Sequence, residues 1–190
     1  MELSFSSVFL KVLELSRSEA LRTGWHSIRP DHITLGILRL GDCPACDALV
    51  AAGADPALFK EHLDECLFCP DQIPWEERET IQPCESAVSM MQHAALEARR
   101  CGSPEVEPLH FLLACCRIAG SYSHDWLAEL GIGLRALVEA SGMEWRHYGL
   151  SVGQAPEGTT ETAAPDPSIM AAAIEQRLRE GYSTGNPIVS

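Results

Sequence analysis

Shifted by 78 positions, the chain matches itself. Glu19-Ala20 falls on Glu97-Ala98, and Arg22 and Gly24 fall on Arg100 and Gly102. Pro30, His32, Leu35 and Arg39 fall on Pro108, His110, Leu113 and Arg117, and Leu49 and Gly53 on Leu127 and Gly131. No gap is needed, and similar residues fill between the identities (Leu10/Val88, Ile28/Val106, Ile33/Phe111). Chance supplies scattered matches, not an ordered set of glycines, prolines and histidines. A repeated unit of this size is one structural unit used twice, and it must bury its apolar face against its copy.

Each unit reads as four helices. Phe5, Val8, Phe9, Val12, Leu13 and Ala20 recur at helical spacing, and Gly24 ends that run as a residue tolerant of positive φ. Pro30 fits the first position of a second helix, where its missing N–H costs nothing. Ile33, Leu35, Ile37 and Leu38 make that helix apolar on most sides, so it is the buried one. A third helix is predicted from about Pro44 to Ala51, closed by Gly53. A fourth runs from about Pro56 to Leu67 with Leu58, Phe59, Leu63 and Leu67 inward. The second unit repeats the pattern at Glu85 to Cys101, Pro108 to Ile118, His124 to Leu130 and Leu134 to Ser141.

The expected fold class is therefore all-α: two tandem four-helix repeats in pseudo-twofold relation, within a helical domain over 1–148. Repeat 1 covers about 4–68, a proline-bearing linker 69–82, and repeat 2 about 83–142. Residues 149–190 read as a flexible tail, since Gly, Pro, Thr, Glu and Ala dominate 149–167. Within it, 168–180 has Ser168 as N-cap and Ile169, Ala173, Ile174 and Leu178 on one side, which predicts a short helix.

Composition narrows the partners. A net charge of -13 repels phosphate backbones and anionic lipid heads, so neither nucleic acid nor a membrane is expected. The start carries no basic, cleavable signal, and the longest apolar stretch, around Leu109 to Cys116, is too short to span a bilayer. The eight cysteines are therefore expected as reduced thiols in a cytoplasmic protein.

The strings Glu19-Ala20-Leu21-Arg22-Thr23-Gly24-Trp25-His26 and Pro30-Asp31-His32-Ile33-Thr34-Leu35-Gly36-Ile37-Leu38-Arg39 resemble the N-terminal (R) domain of Clp-type unfoldases. The second copy, Glu97-Ala98-Arg99-Arg100-Cys101-Gly102 and Glu107-Pro108-Leu109-His110-Phe111-Leu112-Leu113, keeps the pattern more loosely. The likeness covers about 4–142. It implies a stand-alone, non-enzymatic module that binds a protein or peptide, namely a Clp unfoldase, an adaptor or a substrate. Some members of that family hold phosphorylated arginine through an acidic residue that opens the second helix of each repeat. Asp31 matches that position, but Leu109 replaces the second acid and cannot pair with a guanidinium, so phospho-arginine recognition is not assigned. The implied contacts are Ser6, Asp31 and Glu107 at the helix openings, with Trp75 nearby.

Three sharper motifs have blander rivals. Cys43-x-x-Cys46 and Cys66-x-x-Cys69 have the spacing of a four-thiolate zinc site, or of a redox sensor. On this helical frame they instead mark the start of one helix and the end of another, and no cofactor is favoured. Gly149-Leu150-Ser151-Val152-Gly153 has the letters of a nucleophile elbow, but no strand pattern precedes it to aim Ser151 at a histidine. Gly36 to Cys43 resembles a phosphate-binding loop with aspartate where lysine is required. His32 and His110, at equivalent positions, read most simply as ties at helix starts.

Overall fold

The structure is a computed structural model, and it describes residues 4–143. The expected tail over 149–190, its helix over 168–180 and Ser151 lie outside the described residues. In chain order the first repeat contains β1 (Ser4–Phe5), α1 (Ser7–Thr23), β2 (Ser27–Ile28), α2 (Pro30–Leu40), α3 (Pro44–Ala51) and α4 (Pro56–Leu67). A 3-10 helix (Trp75–Thr80) leads into the second: β3 (Gln82–Pro83), α5 (Glu85–Arg100), β4 (Glu105–Val106), α6 (Pro108–Arg117), α7 (Tyr122–Glu129) and α8 (Leu134–Ala140). The chain is all-α in class, with strands of only two residues.

Local chemistry sets the helix boundaries. Proline opens α2, α3, α4 and α6, where a helix has no use for the missing donor. Ser6 caps α1, its Oγ accepting from the Phe9 N–H at 3.1 Å. Asp55 caps α4 by accepting from the Ala57 and Leu58 N–H groups, and Ser121 caps α7 by accepting from the His124 N–H. Gly24, at φ 83°, ends α1 in the left-handed region. A Cβ there would also lie 2.5 Å from the Asp71 carbonyl, so the position excludes side chains twice over.

The faces follow the periodicity with three exceptions, the first being Val8 of α1, which is exposed. Phe9, Val12, Leu13 and Ala20 of α1, and Ile33, Leu35 and Ile37 of α2, are fully buried. On α4 the inward stripe is Phe59, Leu63 and Leu67, spaced by four. Leu58, expected inward, stands one residue off that stripe, about 100° round the helix, and is 57% exposed. Phe5, expected on α1, precedes it in β1, where its backbone pairs with Val106.

The repeats interlock rather than stack. β1 pairs in parallel with β4, with Ser4 opposite Glu105 and Phe5 opposite Val106. β2 pairs in parallel with β3, with Ser27 opposite Gln82 and Ile28 opposite Pro83. The 78-residue offset converts the first register into the second, residue for residue. Flanking backbone bonds obey the same rule: Ser6 N–H to Val106 O at 3.1 Å, and Cys84 N–H to Ile28 O at 3.0 Å. Helix contacts are reciprocal too, α2 on α7 with α3 on α6, and α4 on α7 with α3 on α8. This is an isologous interface inside one chain. One continuous core results, crossed by Phe9 against Phe111 and by Phe59 stacked on Trp126 at 4.0 Å.

Residues 69–82, read as a linker, lie as a strap along the first repeat. The Cys69 N–H donates to Thr23 O, and the almost fully buried Arg17 of α1 donates through Nε to Ile81 O at 3.1 Å. Among the described residues no helix is long and apolar enough to cross a membrane.

The tightest crossing is α1 on α2, at Gly36. A Cβ at that position would fall 2.6 Å from both Ser16 Oγ and Val12 O. A Gly36→Ala variant gains helix propensity but must push α2 away from backbone. We expect a net loss of about 1–3 kcal/mol in denaturant unfolding, not restored by adding Ser16→Ala, because the Val12 carbonyl remains.

Candidate functional site

The sequence places its candidate residues at helix N-termini, and histidines organise those N-termini. In α2 the His32 Nδ1 accepts from the Arg29 N–H at 2.9 Å. Its Nε2 lies 3.0 Å from Thr23 Oγ1, which donates its own hydrogen to Glu19 O. Nε2 therefore carries the imidazole proton. In α6 the His110 Nδ1 accepts from the Glu107 N–H at 2.9 Å. Burial, with Arg29 and Arg22 adding to it, lowers the His32 pKa to about 3. Burial alone lowers His110 to about 4. Both rings are neutral caps, the tying role read from their repetition.

Asp31, second residue of α2, is 1% exposed and reaches into the other repeat. Its Oδ1 accepts from the Ser123 N–H at 2.8 Å and from the Ser123 hydroxyl at 2.7 Å. Ser123 Oγ also lies 2.9 Å from Thr34 Oγ1 of α2. The carboxylate thus sits in the first turns of α2 and α7 together, at two positive helix ends. The offset maps Asp31 to Leu109 and Ser123 to Ala45, so the mirror position pairs two apolar residues.

Ser6 and Glu107 come together: the Ser6 hydroxyl donates to Glu107 Oε2 at 2.8 Å, beside the β1–β4 pair. Their images are Cys84 and Arg29 beside β2–β3. Arg29 lies over the Trp25 ring at 4.7 Å, and the Trp25 indole N–H donates to Leu67 O at 2.7 Å. Equivalent ends of the body therefore carry opposite charge. Trp75 lies on the strap, 65% exposed with Arg78 over its ring at 5.0 Å. Phe68, at the C-cap of α4, is 73% exposed. It closes a shallow trough along the outer side of α4 that also includes Lys60, Glu61, Asp64 and Glu65.

The structure also reveals charged clusters that motif reading missed. Glu19 is 2% exposed; its Oε1 takes Arg39 at 2.8 Å and its Oε2 takes Arg22 at 2.6 Å. Glu97 is equally buried and takes Arg117 at 2.7 Å together with Arg100. Each cluster ties the long first helix of its repeat to the buried second one. The signal was in the self-match, where all three residues recur: Glu19/Glu97, Arg22/Arg100 and Arg39/Arg117.

The four cysteines with zinc-site spacing lie at the start of α3, on α4 and on the strap. Among the described residues no three His, Cys, Asp or Glu side chains gather as a metal ion requires. Cys43 and Cys46 are buried at the start of α3. Cys66 on α4 faces His62 at 3.6 Å, and Cys69 lies on the strap.

Two outcomes test these assignments. Asp31→Ala removes a charge-assisted acceptor from a buried amide and hydroxyl, and is expected to cost about 2–3 kcal/mol in chemical unfolding. Asp31→Asn, which keeps an acceptor, is expected to cost less. The histidines give a pH signature. The unfolded chain protonates them near the ordinary value of 6.5, the folded chain only near 3 and 4. Between those limits the unfolded state binds more protons, so their contribution is complete above 6.5 and is lost as pH falls. The loss reaches at most about 1.4 kcal/mol per pH unit for each ring. His110→Asn, which retains an acceptor but cannot titrate, is expected to flatten the fall in stability between about pH 7 and 5.

The comparisons agree with this architecture. The Clp repeat (R) N-terminal domain family matches residues 4–130. The chain is 30% identical over 124 residues to Chaperone protein ClpB of Oceanobacillus iheyensis, covering 65% of this chain and 15% of that protein. It is 33% identical over 124 residues to Negative regulator of genetic competence ClpC/MecB of Bacillus subtilis, again 65% of this chain and 15% of that protein. The chain thus spans a minor part of the length of the curated relatives it matches. With two interlocked four-helix repeats and a family match that takes in the first repeat and most of the second, the chain belongs to the Clp repeat (R) N-terminal domain family.

Proposed function

We propose that this chain is a non-enzymatic polypeptide-binding module of the Clp chaperone system. Its partner would be an unfoldase, an adaptor or a substrate. The observation that carries the reading is the family match over residues 4–130, which takes in the first repeat and most of the second. Of the four contacts expected from sequence, Asp31 and Ser6 are buried and engaged within the fold. In our reading they set the shape of the seam between repeats. Contact falls to the half-buried Glu107 and above all to exposed Trp75.

Phe68 and Trp75 stand at either end of the run that follows α4, with the acidic residues Glu61, Asp64 and Glu65 alongside Phe68. Exposed aromatics beside carboxylates suit a segment carrying apolar and basic side chains. The net charge of -13 steers such a segment inward.

The test is titration of the full chain with two probes, a purified Clp unfoldase ring and an unfolded, positively charged polypeptide. Saturable binding to at least one is expected. Trp75→Ala should weaken it on the order of tenfold, as loss of an aromatic anchor does. Binding to neither probe would remove the proposal, and binding indifferent to Trp75 would remove the assigned surface.

A further inference from the structure

We propose that Cys43 and Cys46 form a reversible dithiol–disulfide couple, a two-electron oxidation site in the first turn of α3. The sequence is Cys43-Pro44-Ala45-Cys46, with Cys43 as N-cap and Cys46 three positions on. N-cap and third-position side chains face each other across the first turn, the relation that capping boxes exploit. The turn is fixed by the Cys46 N–H donating to Cys43 O at 2.9 Å and the Asp47 N–H donating to the same oxygen at 3.1 Å. Pro44 holds the first helical position in place. Each thiol is the strongest influence on the ionisation of the other across that turn. Cys46 Sγ also lies 3.4 Å from Ile37 O, which anchors it to the end of α2.

The chemistry of the pair is polarised. The hydrogen bond from Cys46, opposed by burial and aided by the Cys46 and Ala45 amides, lowers Cys43 to about 6. Cys46 is pushed up by that same bond and by burial. Burial also raises Cys66, Cys101, Cys115 and Cys116. A thiolate at Cys43 beside a protonated Cys46 is the arrangement of an attacking and a resolving sulfur. Residue exposures of 4% and 5% restrict access to a small oxidant, while the neighbouring Gly41, Asp42 and Pro44 are exposed. A hydroperoxide meets that limit.

The Cys43 thiolate attacks one peroxide oxygen, the O–O bond breaks, and the departing hydroxide takes a proton to become water. The resulting S–OH is displaced by the Cys46 sulfur, whose proton leaves with the hydroxyl as a second water. Two thiols and one hydrogen peroxide give one disulfide and two waters, with the thiols oxidised and the peroxide reduced.

The full chain is treated with hydrogen peroxide, alkylated and mapped by mass spectrometry. The expected product has lost the mass of two hydrogens, resists alkylation at Cys43 and Cys46, and is restored by dithiothreitol. Its rate of formation should rise with pH through about 6, below the ordinary thiol range. In Cys46→Ser, Cys43 should stop at a sulfenic acid that a dione reagent traps; in Cys43→Ser, Cys46 should stay reduced. Full alkylation of both residues after peroxide, or a bond mapped to another pair such as Cys115–Cys116, would overturn the inference.

Discussion

The body depends on an exchange of backbone between its halves. β1 hydrogen-bonds to the second repeat and β3 to the first, in registers related by the internal offset. A repeat taken alone leaves those amides and carbonyls without partners. It also exposes the faces where Phe9 meets Phe111 and Phe59 stacks on Trp126. Each half is therefore completed by the other, and the apparent modularity of the sequence does not carry into the energetics. The strap over 69–82, held by Arg17 and by the tight fit against Gly24, connects the halves without slack.

Most of the helical frame was legible because it rests on local rules. Prolines at first helical positions and a left-handed glycine at the end of α1 mark boundaries that the structure keeps. What escaped was what local rules do not encode. Two-residue strands have no periodicity to read, and their partners lie about a repeat away in sequence. Leu58 looked like core because it is leucine beside a buried stripe, and only the phase of α4 turns it out. The Glu19 and Glu97 clusters were visible as identities but unreadable as contacts, since each combines a near neighbour with an arginine twenty residues on.

The candidate site was less legible, for a related reason. Ser6, Asp31 and Glu107 were singled out as polar groups at helix openings, and helix openings have two uses for such groups: ligands and caps. Ser6 is a cap that also bonds Glu107, and Asp31 bridges two helix starts. A chain lists residue types in order, and this choice depends on which second helix arrives nearby. Trp75 differs because nothing local demanded an indole on the strap, and its exposure is why we propose it as the contact.

The unequal mirror positions, Asp31 with Ser123 on one side and Leu109 with Ala45 on the other, bear on assembly. Two first repeats docked on each other through this seam would set each Asp31 against an alanine, which has a backbone N–H but no hydroxyl to donate. Two second repeats would set each Ser123 hydroxyl against leucine. Only the mixed pairing supplies both donors to Asp31, so the broken symmetry disfavours pairing between like halves of separate chains. A duplicated unit that had stayed identical would have no such means of telling its complement from a copy of itself.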